Sequence, residues 1–224
     1  MDNLGDLIKL FQDQGAASHH TKGTVIFNQG DKLDDILLID SGLVKITDSD
    51  KHGYGRTVAI FGKRHIIPVS WLFVEPPQLG TIYTYMALSD SVTYSLPRQQ
   101  VREALDANPL IYKSLADITS RAYINALYRI YNLQKTNVSE KVEFVFYYLA
   151  TLLSVNKDEP AAEIQASLTH QDIADIAGLS RESVTHLLSK PRYQDVFWKK
   201  GGKSYINVTK LDTSNLPQIL TMTM

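Results

Sequence analysis

The sequence predicts an α+β chain in three parts: a roll of short β-strands, one long helix, and a mostly helical head. Three observations carry that expectation. Between residues 24 and 96 short β-prone segments recur with turn residues between them, the spacing of an all-β barrel or roll. From 109 to 136 no breaker interrupts a run of apolar residues at spacings of three and four, the period of a helix. From 168 to 190 two short amphipathic stretches flank a glycine, the layout of two helices around a tight turn. The expected boundaries are 1–108 for the roll, 109–136 for the long helix and 137–224 for the head.

Residues 3–14 form a short amphipathic helix carrying Leu4, Leu7, Ile8 and Phe11. Strands are expected at 24–27, 36–39, 43–47, 56–61, 81–88 and 92–96, with corners at Gly30-Asp31, Ser41-Gly42, His52-Gly53 and Gly62. Pro97 opens a helix towards Ala107, and Asn108-Pro109 reads as the cap and first residue of the long one. Its stripe runs Ile111, Leu115, Ile118, Ala122, Ala126, Ile130 and Leu133. At 1.5 Å per residue such a helix reaches roughly 40 Å, longer than a small β domain needs. Periodicity leaves two uses open, lying across the roll or pairing with its twin, because Tyr123, Asn125 and Tyr128 interrupt a clean zipper. Ser139 is expected to cap a helix over 139–153 that buries Val142, Val145, Phe146, Leu149 and Leu152, and 156–162 reads as a polar loop.

The 168–190 segment carries the chemistry. Thr169 can cap the first helix, with Asp172 three residues on to complete a capping-box pair. Ile173, Ala174, Ile176 and Ala177 give one apolar face, and Ala174 is the small residue a steep helix crossing needs. Gly178 supplies the backbone freedom of the turn, and Leu179 plugs the corner. Ser180 caps the second helix, whose Val184, Leu187 and Leu188 point inward. That leaves Arg181, Glu182, Ser183, Thr185 and His186 on the outer face. An arginine forks onto guanine and a glutamate accepts from cytosine in the major groove, so Arg181 and Glu182 are the expected base contacts. Beyond it, strands at 196–199 and 204–208 meet at Lys200-Gly201-Gly202-Lys203, a hairpin with a basic tip suited to phosphate contact. Thr169, His170, Ser180, Ser183, Lys200 and Lys203 are the expected phosphate contacts, because helix N-termini and short hydroxyls favour anions. The whole chain has a net charge of only −1, yet 181–203 carries a balance of +4, which suits specific rather than bulk nucleic-acid binding.

The 224 residues, 44% hydrophobic and 21% charged, allow sizeable cores in an ordinary globular protein. With no cysteine, disulfides and cysteine-held clusters are excluded. The start lacks the basic and apolar regions of a signal peptide, and no apolar stretch approaches a membrane span; a cytoplasmic protein with no membrane partner is expected. No nucleophile–base constellation or phosphate-binding glycine loop is present. His19-His20 is adjacent rather than alternating and makes no metal set. No cofactor, metal or enzymatic activity is therefore expected, a β-barrel enzyme with a helical accessory domain being the alternative from another class.

The order of these parts, with Gly30-Asp31, Ile39-Asp40-Ser41-Gly42-Leu43-Val44-Lys45 and the 168–188 segment, resembles the CRP/FNR family of bacterial transcription regulators along nearly the whole chain. The resemblance implies a double-stranded β-helix sensor of the cyclic-nucleotide-binding kind, a dimerisation helix, and a C-terminal winged helix-turn-helix. It implies a homodimer paired through Ile111, Leu115, Ile118, Ala122, Ala126 and Ile130, bound to an inverted-repeat operator in double-stranded DNA, and meeting RNA polymerase if it activates. It also implies a third base contact at His186, where the family usually has arginine. The sensor departs from the family at two places. Pro68-Val69 stand where cyclic-nucleotide binders carry Gly-Glu for the ribose, and Thr81-Ile82 where they carry arginine for the phosphate. A buried cyclic phosphate without its arginine is costly, so cyclic AMP is not the expected effector unless Arg56 or Arg64 serves instead. Trp71, Phe73, Tyr83 and Tyr85, with Tyr123 and Leu127 of the long helix, suit an apolar or aromatic effector, or else fill the roll. A cyclic-nucleotide- or haem-responsive regulator is the alternative; for haem, His19, His20, His52 and His65 are available but follow no spacing rule.

Overall fold

The computed structural model describes residues 4–49, 55–74, 80–154 and 160–212. His52, the His52-Gly53 corner and residues 156–159 of the expected polar loop lie outside the described residues. The chain divides into two compact units, one of Met1–Tyr54 with Val58–Asn125, the other of Gly55–Thr57 with Ala126–Met224.

Apart from Gly55–Thr57 of one strand, the first unit holds α1 (Leu4–Gln14) followed by two four-stranded sheets. One orders β1 (Ala16–His20), β8 (Ser91–Pro97), β3 (Asp35–Ser41) and β6 (Ile66–Ile67); the other β2 (Val25–Phe27), β7 (Thr84–Ala87), β4 (Val44–Ser49) and β5 (Gly55–Phe61). Strand β3 explains the arrangement. Its run Ile36-Leu37-Leu38-Ile39 has no polar alternation because both faces are buried. Leu37 and Ile39 pack with Val44, Ile46, Ile67 and Tyr85 between the sheets. Ile36 and Leu38 face the opposite way, into a cluster with Leu7 and Phe11 of α1, Trp71, and the helices that follow. Those helices are α2 (Arg98–Ala107), entered through Pro97, and α3 (Leu110–Leu133). Ile111 and Leu115 of α3 belong to this cluster.

Three features of the unit differ from expectation. The strand expected over 81–88 begins only at Thr84, because Thr81 is already spent: its amide donates to Asp31 O at 2.9 Å and its carbonyl accepts from Gly30 N at 2.7 Å. Strand β1 was hidden by Ala-Ala-Ser-His-His, an exposed edge sequence without apolar alternation. Strand β6 is two residues long, too short for any periodicity to register.

The second unit holds the end of α3, then α4 (Val138–Leu153), β9 (Ala161–Ile164), α5 (His170–Ala177), α6 (Arg181–Leu188), α7 (Pro191–Gln194), β10 (Phe197–Lys200) and β11 (Lys203–Asn207). Its sheet is ordered β10-β11-β9. Helix α4 is the spine: every residue from Val142 to Ala150 is buried, as expected of a helix apolar nearly all round. Asn137, not Ser139, caps it; Asn137 Oδ1 accepts from the Ser139 amide at 2.9 Å and hydroxyl at 2.7 Å. Strand β9 replaces the end of the expected loop, with Ala162 and Ile164 turned inward; two alanines in four residues carry little strand propensity. No helix among the described residues is long and apolar enough to cross a membrane.

Candidate nucleic-acid interface

Helix α5 begins with a complete capping box. Thr169 Oγ1 accepts from the Asp172 amide at 3.0 Å, while Asp172 Oδ2 accepts from the Thr169 amide at 2.9 Å and hydroxyl at 2.7 Å. Reciprocal satisfaction of orphan donors fixes where the helix starts. It ends at Gly178, which takes φ 64° and ψ 42°, a left-handed cap that a side-chain-bearing residue enters only at a cost. Ser180 Oγ then accepts from the Ser183 amide at 3.2 Å and starts α6. Ala174 is fully buried at the crossing, and Ile173, Ile176, Ala177, Val184 and Leu187 close the small core.

Thr185 of α6 is exposed, while Ser183 and Leu188 are half-buried. Arg181, Glu182 and His186 are exposed. The Glu182 amide, the Ser180 hydroxyl and then Arg181 hold the Glu182 carboxyl below the usual carboxylate range, so it stands as an ionised acceptor. His170, half-buried at the start of α5, meets Thr185 Oγ1 through Nδ1 at 2.9 Å. Burial, then Lys199 and Arg181, push its pKa down. Of the other expected phosphate contacts, Thr169 and Ser180 are exposed and serve as caps, and Ser183 lies half-buried with its Oγ 3.0 Å from Ser180 Oγ.

The hairpin β10–β11 turns through Gly201 and Gly202 at φ 58° and 77°. Positive φ at both central residues is the two-residue turn that matches strand twist. Lys200 is exposed at its tip. Lys203 is not a free cation of the tip: its Nζ lies 2.6 Å from Glu163 Oε1 of β9, and Tyr205 OH donates to Glu163 Oε2 at 3.0 Å. That ion pair holds the Lys203 pKa up and that of Glu163 down. Arg192, also counted in the basic stretch, is paired with Glu143 at 3.0 Å. Sequence reasoning missed both acidic partners, and it placed Lys199 only in the charge balance, whereas the hairpin brings that residue within electrostatic reach of His170. It also missed Arg129. This buried guanidinium donates to Ile176 O at 3.2 Å, placing a cation against the last turn of α5, where the helix dipole favours one.

Among the expected effector residues, Trp71 and Tyr85 of the first unit lie in different apolar clusters. Trp71 packs in the cluster beneath the helices, while Tyr85 packs between the sheets, edge-on to Phe27 with ring centroids 5.7 Å apart. Burial pushes the Tyr85 hydroxyl up to about 12. Tyr83 is half-buried against the inter-sheet cluster, Phe73 is exposed, and Tyr123 and Leu127 are exposed on α3. A cleft of about 260 Å³ in the first unit is lined instead by residues of α1, the end of β3 and Lys63-Arg64. Among the histidines, His19 is exposed, His20 Nε2 lies 3.0 Å from Thr93 Oγ1, and His65 Nδ1 lies 3.0 Å from Gly62 O.

The expected dimer stripe needs correction at its start. Ile111 and Leu115 are 3% and 1% exposed inside the protomer's own core and have no surface to offer a partner; Ile118 packs against the same cluster. The apolar surface of α3 lies further on, at Tyr123, Ile124, Leu127, Ile130 and Tyr131, with Ala122 and Ala126 also exposed.

A helix-turn-helix with an exposed polar reading face, backed by a basic-tipped β-hairpin, defines a winged helix-turn-helix, and this class of protein is a DNA-binding transcription regulator. The comparisons agree. Residues 18–108 match the cyclic nucleotide-binding domain family, and residues 147–213 the Crp-like helix-turn-helix domain family. The chain is 26% identical over 188 residues to the HTH-type transcriptional regulator ArcR of Staphylococcus aureus, covering 81% of this chain and 76% of that one. In fold it is similar to FixK2 of Bradyrhizobium japonicum, with a TM-score of 0.71 at 16% identity over 88% of this chain and 97% of that one. It is equally similar to the c-di-GMP-responsive global regulator CLP of Xanthomonas campestris, with a TM-score of 0.70 at 15% identity over 90% and 98%. The chain belongs to the CRP/FNR family of transcription regulators.

Proposed function

We propose that the chain acts in the cytoplasm as a homodimer that reads an inverted repeat in double-stranded DNA with one α6 per half-site. The observation that carries this reading is the exposure of Arg181, Glu182 and His186 on a helix fixed by its Ser180 cap and the left-handed turn at Gly178. Arg181 forks onto a guanine, and the ionised Glu182 accepts from a cytosine amino group. His186 reaches less far and offers fewer donors than an arginine, so discrimination at its position is weak. His170, Lys200, Ser183 and the capped first turns at Thr169 and Ser180 hold phosphates. Lys203, tied to Glu163, keeps the hairpin in place rather than neutralising a phosphate of its own.

The seam between protomers runs through Ala122, Tyr123, Ala126, Leu127 and Ile130, where α3 leaves apolar side chains uncovered. Ile130→Glu sets like charges against each other across a two-fold axis, and sedimentation of this variant should give monomers. An effector that is apolar or aromatic would act where Tyr123 and Leu127 stand on that seam, because a ligand shifts an arrangement only by binding one form better than another. Thr81 is committed to the Gly30-Asp31 corner and Ile82 is exposed, which supports an effector other than cyclic AMP. Where the regulator activates, RNA polymerase is the further partner. The reading is tested by titrating an inverted-repeat duplex selected by the protein and a scrambled duplex of the same composition. A preference on the order of a thousandfold is expected; equal affinity would contradict it.

A further inference from the structure

Resting on the reading of α5 and α6 as the DNA-facing pair, we propose that His170 takes up a proton when the head engages the DNA backbone, so that pH sets the affinity. The geometry starts from the hydrogen bond between His170 Nδ1 and Thr185 Oγ1, 2.9 Å long, which ties the first residue of α5 to the middle of α6. That bond fixes the ring and leaves Nε2 for a second partner. A neutral imidazole donates from one nitrogen only. With Nδ1 accepting from the Thr185 hydroxyl, the neutral ring can present Nε2–H to a phosphate oxygen, but only the imidazolium brings a full positive charge to that contact and makes the hydrogen bond charge-assisted.

The surroundings decide which form the free protein holds. His170 is half-buried, and the charges acting on its ring are Lys199 of β10 and Arg181 of α6, both cationic. Helix α4, which also packs on α5, adds no charge to that set. Asp172 lies two residues away, but its carboxylate is spent on the Thr169 amide and hydroxyl. Partial desolvation and two like charges both disfavour the imidazolium, and the pKa is accordingly depressed. A phosphate brought against the same two cations reverses the balance. The added anion offsets Lys199 and Arg181 and supplies the acceptor that Nε2 lacks.

The sign of the linkage follows. The free head has the lower His170 pKa and the bound head the higher, so binding takes up a proton between the two values. Affinity rises as pH falls through that window and is flat outside it. Because the contact is to the backbone, the effect does not depend on base sequence. A lysine or arginine in this place would be charged throughout, and no such dependence would arise.

Anisotropy titrations of a short mixed-sequence duplex between about pH 6 and pH 8, at fixed ionic strength, test this directly. They are run in a His186→Gln background, which removes the other imidazole of the reading face. The expected result is binding on the order of tenfold tighter per protomer at the acidic end. His170→Gln should flatten the profile at the weak level. His170→Arg should flatten it at the tight level, which a merely structural role for the ring would not produce. A flat profile in the parent, or a slope that survives His170→Gln, would overturn the proton link while leaving DNA binding intact. Failure of the parent to bind any duplex would overturn the DNA-facing reading itself.

Discussion

Trp71 and Tyr85 of the roll are each 6% exposed and sit in different apolar clusters, whereas Arg181, Glu182 and His186 of the head stand open to solvent along one short helix. The roll spends its large side chains on its own stability; the head spends a small core on holding polar side chains outward. Helix α3 does both in succession. Ile111 and Leu115 complete the core of the first unit, and beyond them Tyr123 and Ile130 are 64% and 55% exposed. Apolar side chains at one helical spacing thus serve folding at one end and surface at the other. The lesson is that substitutions in the two regions should fail in different assays.

The largest expected effect is on folding. Trp71→Ala should lose about 3–5 kcal/mol and Leu115→Ala about 2–5 kcal/mol in urea unfolding, each by cavity formation. If either proves neutral, the assignment of these residues to the core is broken. Arg181→Ala should leave the unfolding midpoint nearly unchanged, since surface changes stay within about 0.5 kcal/mol. In exchange it should weaken binding to the selected operator by about 1–3 kcal/mol and relax one base position. Gly178→Ala sharpens the contrast by touching both properties. Its Cβ would meet Leu133 Cδ2 at 3.4 Å, an ordinary contact, so the cost comes from φ 64°. About 1–2 kcal/mol of stability should be lost, and weaker operator binding should follow as α6 loses its fixed start.

The smallest effect separates two lysines at one hairpin. Lys200→Ala should reduce the salt slope of DNA binding by roughly one unit, with equal loss on all sequences. Lys203→Ala should change that slope less, because Glu163 already neutralises Lys203. The pair holds the Glu163 carboxyl below its usual range. Its contribution is therefore present above the unfolded carboxylate pKa and is lost only as pH falls through the lower folded value. Equal slopes for the two variants would show that the ion pair opens on DNA.

What could be foreseen from residues follows the range of the interactions. The caps at Thr169 and Ser180 and the turn at Gly178 depend on partners within three or four positions, and each stands as expected. The pairing of Lys203 with Glu163 and of Arg192 with Glu143 spans 40 and 49 positions, and no local pattern records it. The stripe of α3 was legible as a period, but a period does not say what covers it; Ile111 and Leu115 find α1 and β3, whose positions only the fold determines. Strands β1 and β9 escaped because His, Ser and Ala carry little of the strand signal. In the roll, aromatic residues suited a pocket and a packed interior equally well, and Tyr85 against Phe27 belongs to the second.

Selection of bound sequences from random duplex DNA, with the wild-type protein and Arg181→Ala in parallel, tests the central claim that α6 reads bases in a two-fold assembly. An inverted repeat is expected, with half-site centres about one helical turn, roughly 34 Å, apart. Arg181→Ala should lose its guanine preference at one position of each half-site and keep the rest. No consensus, or the same consensus from both proteins, would contradict that claim.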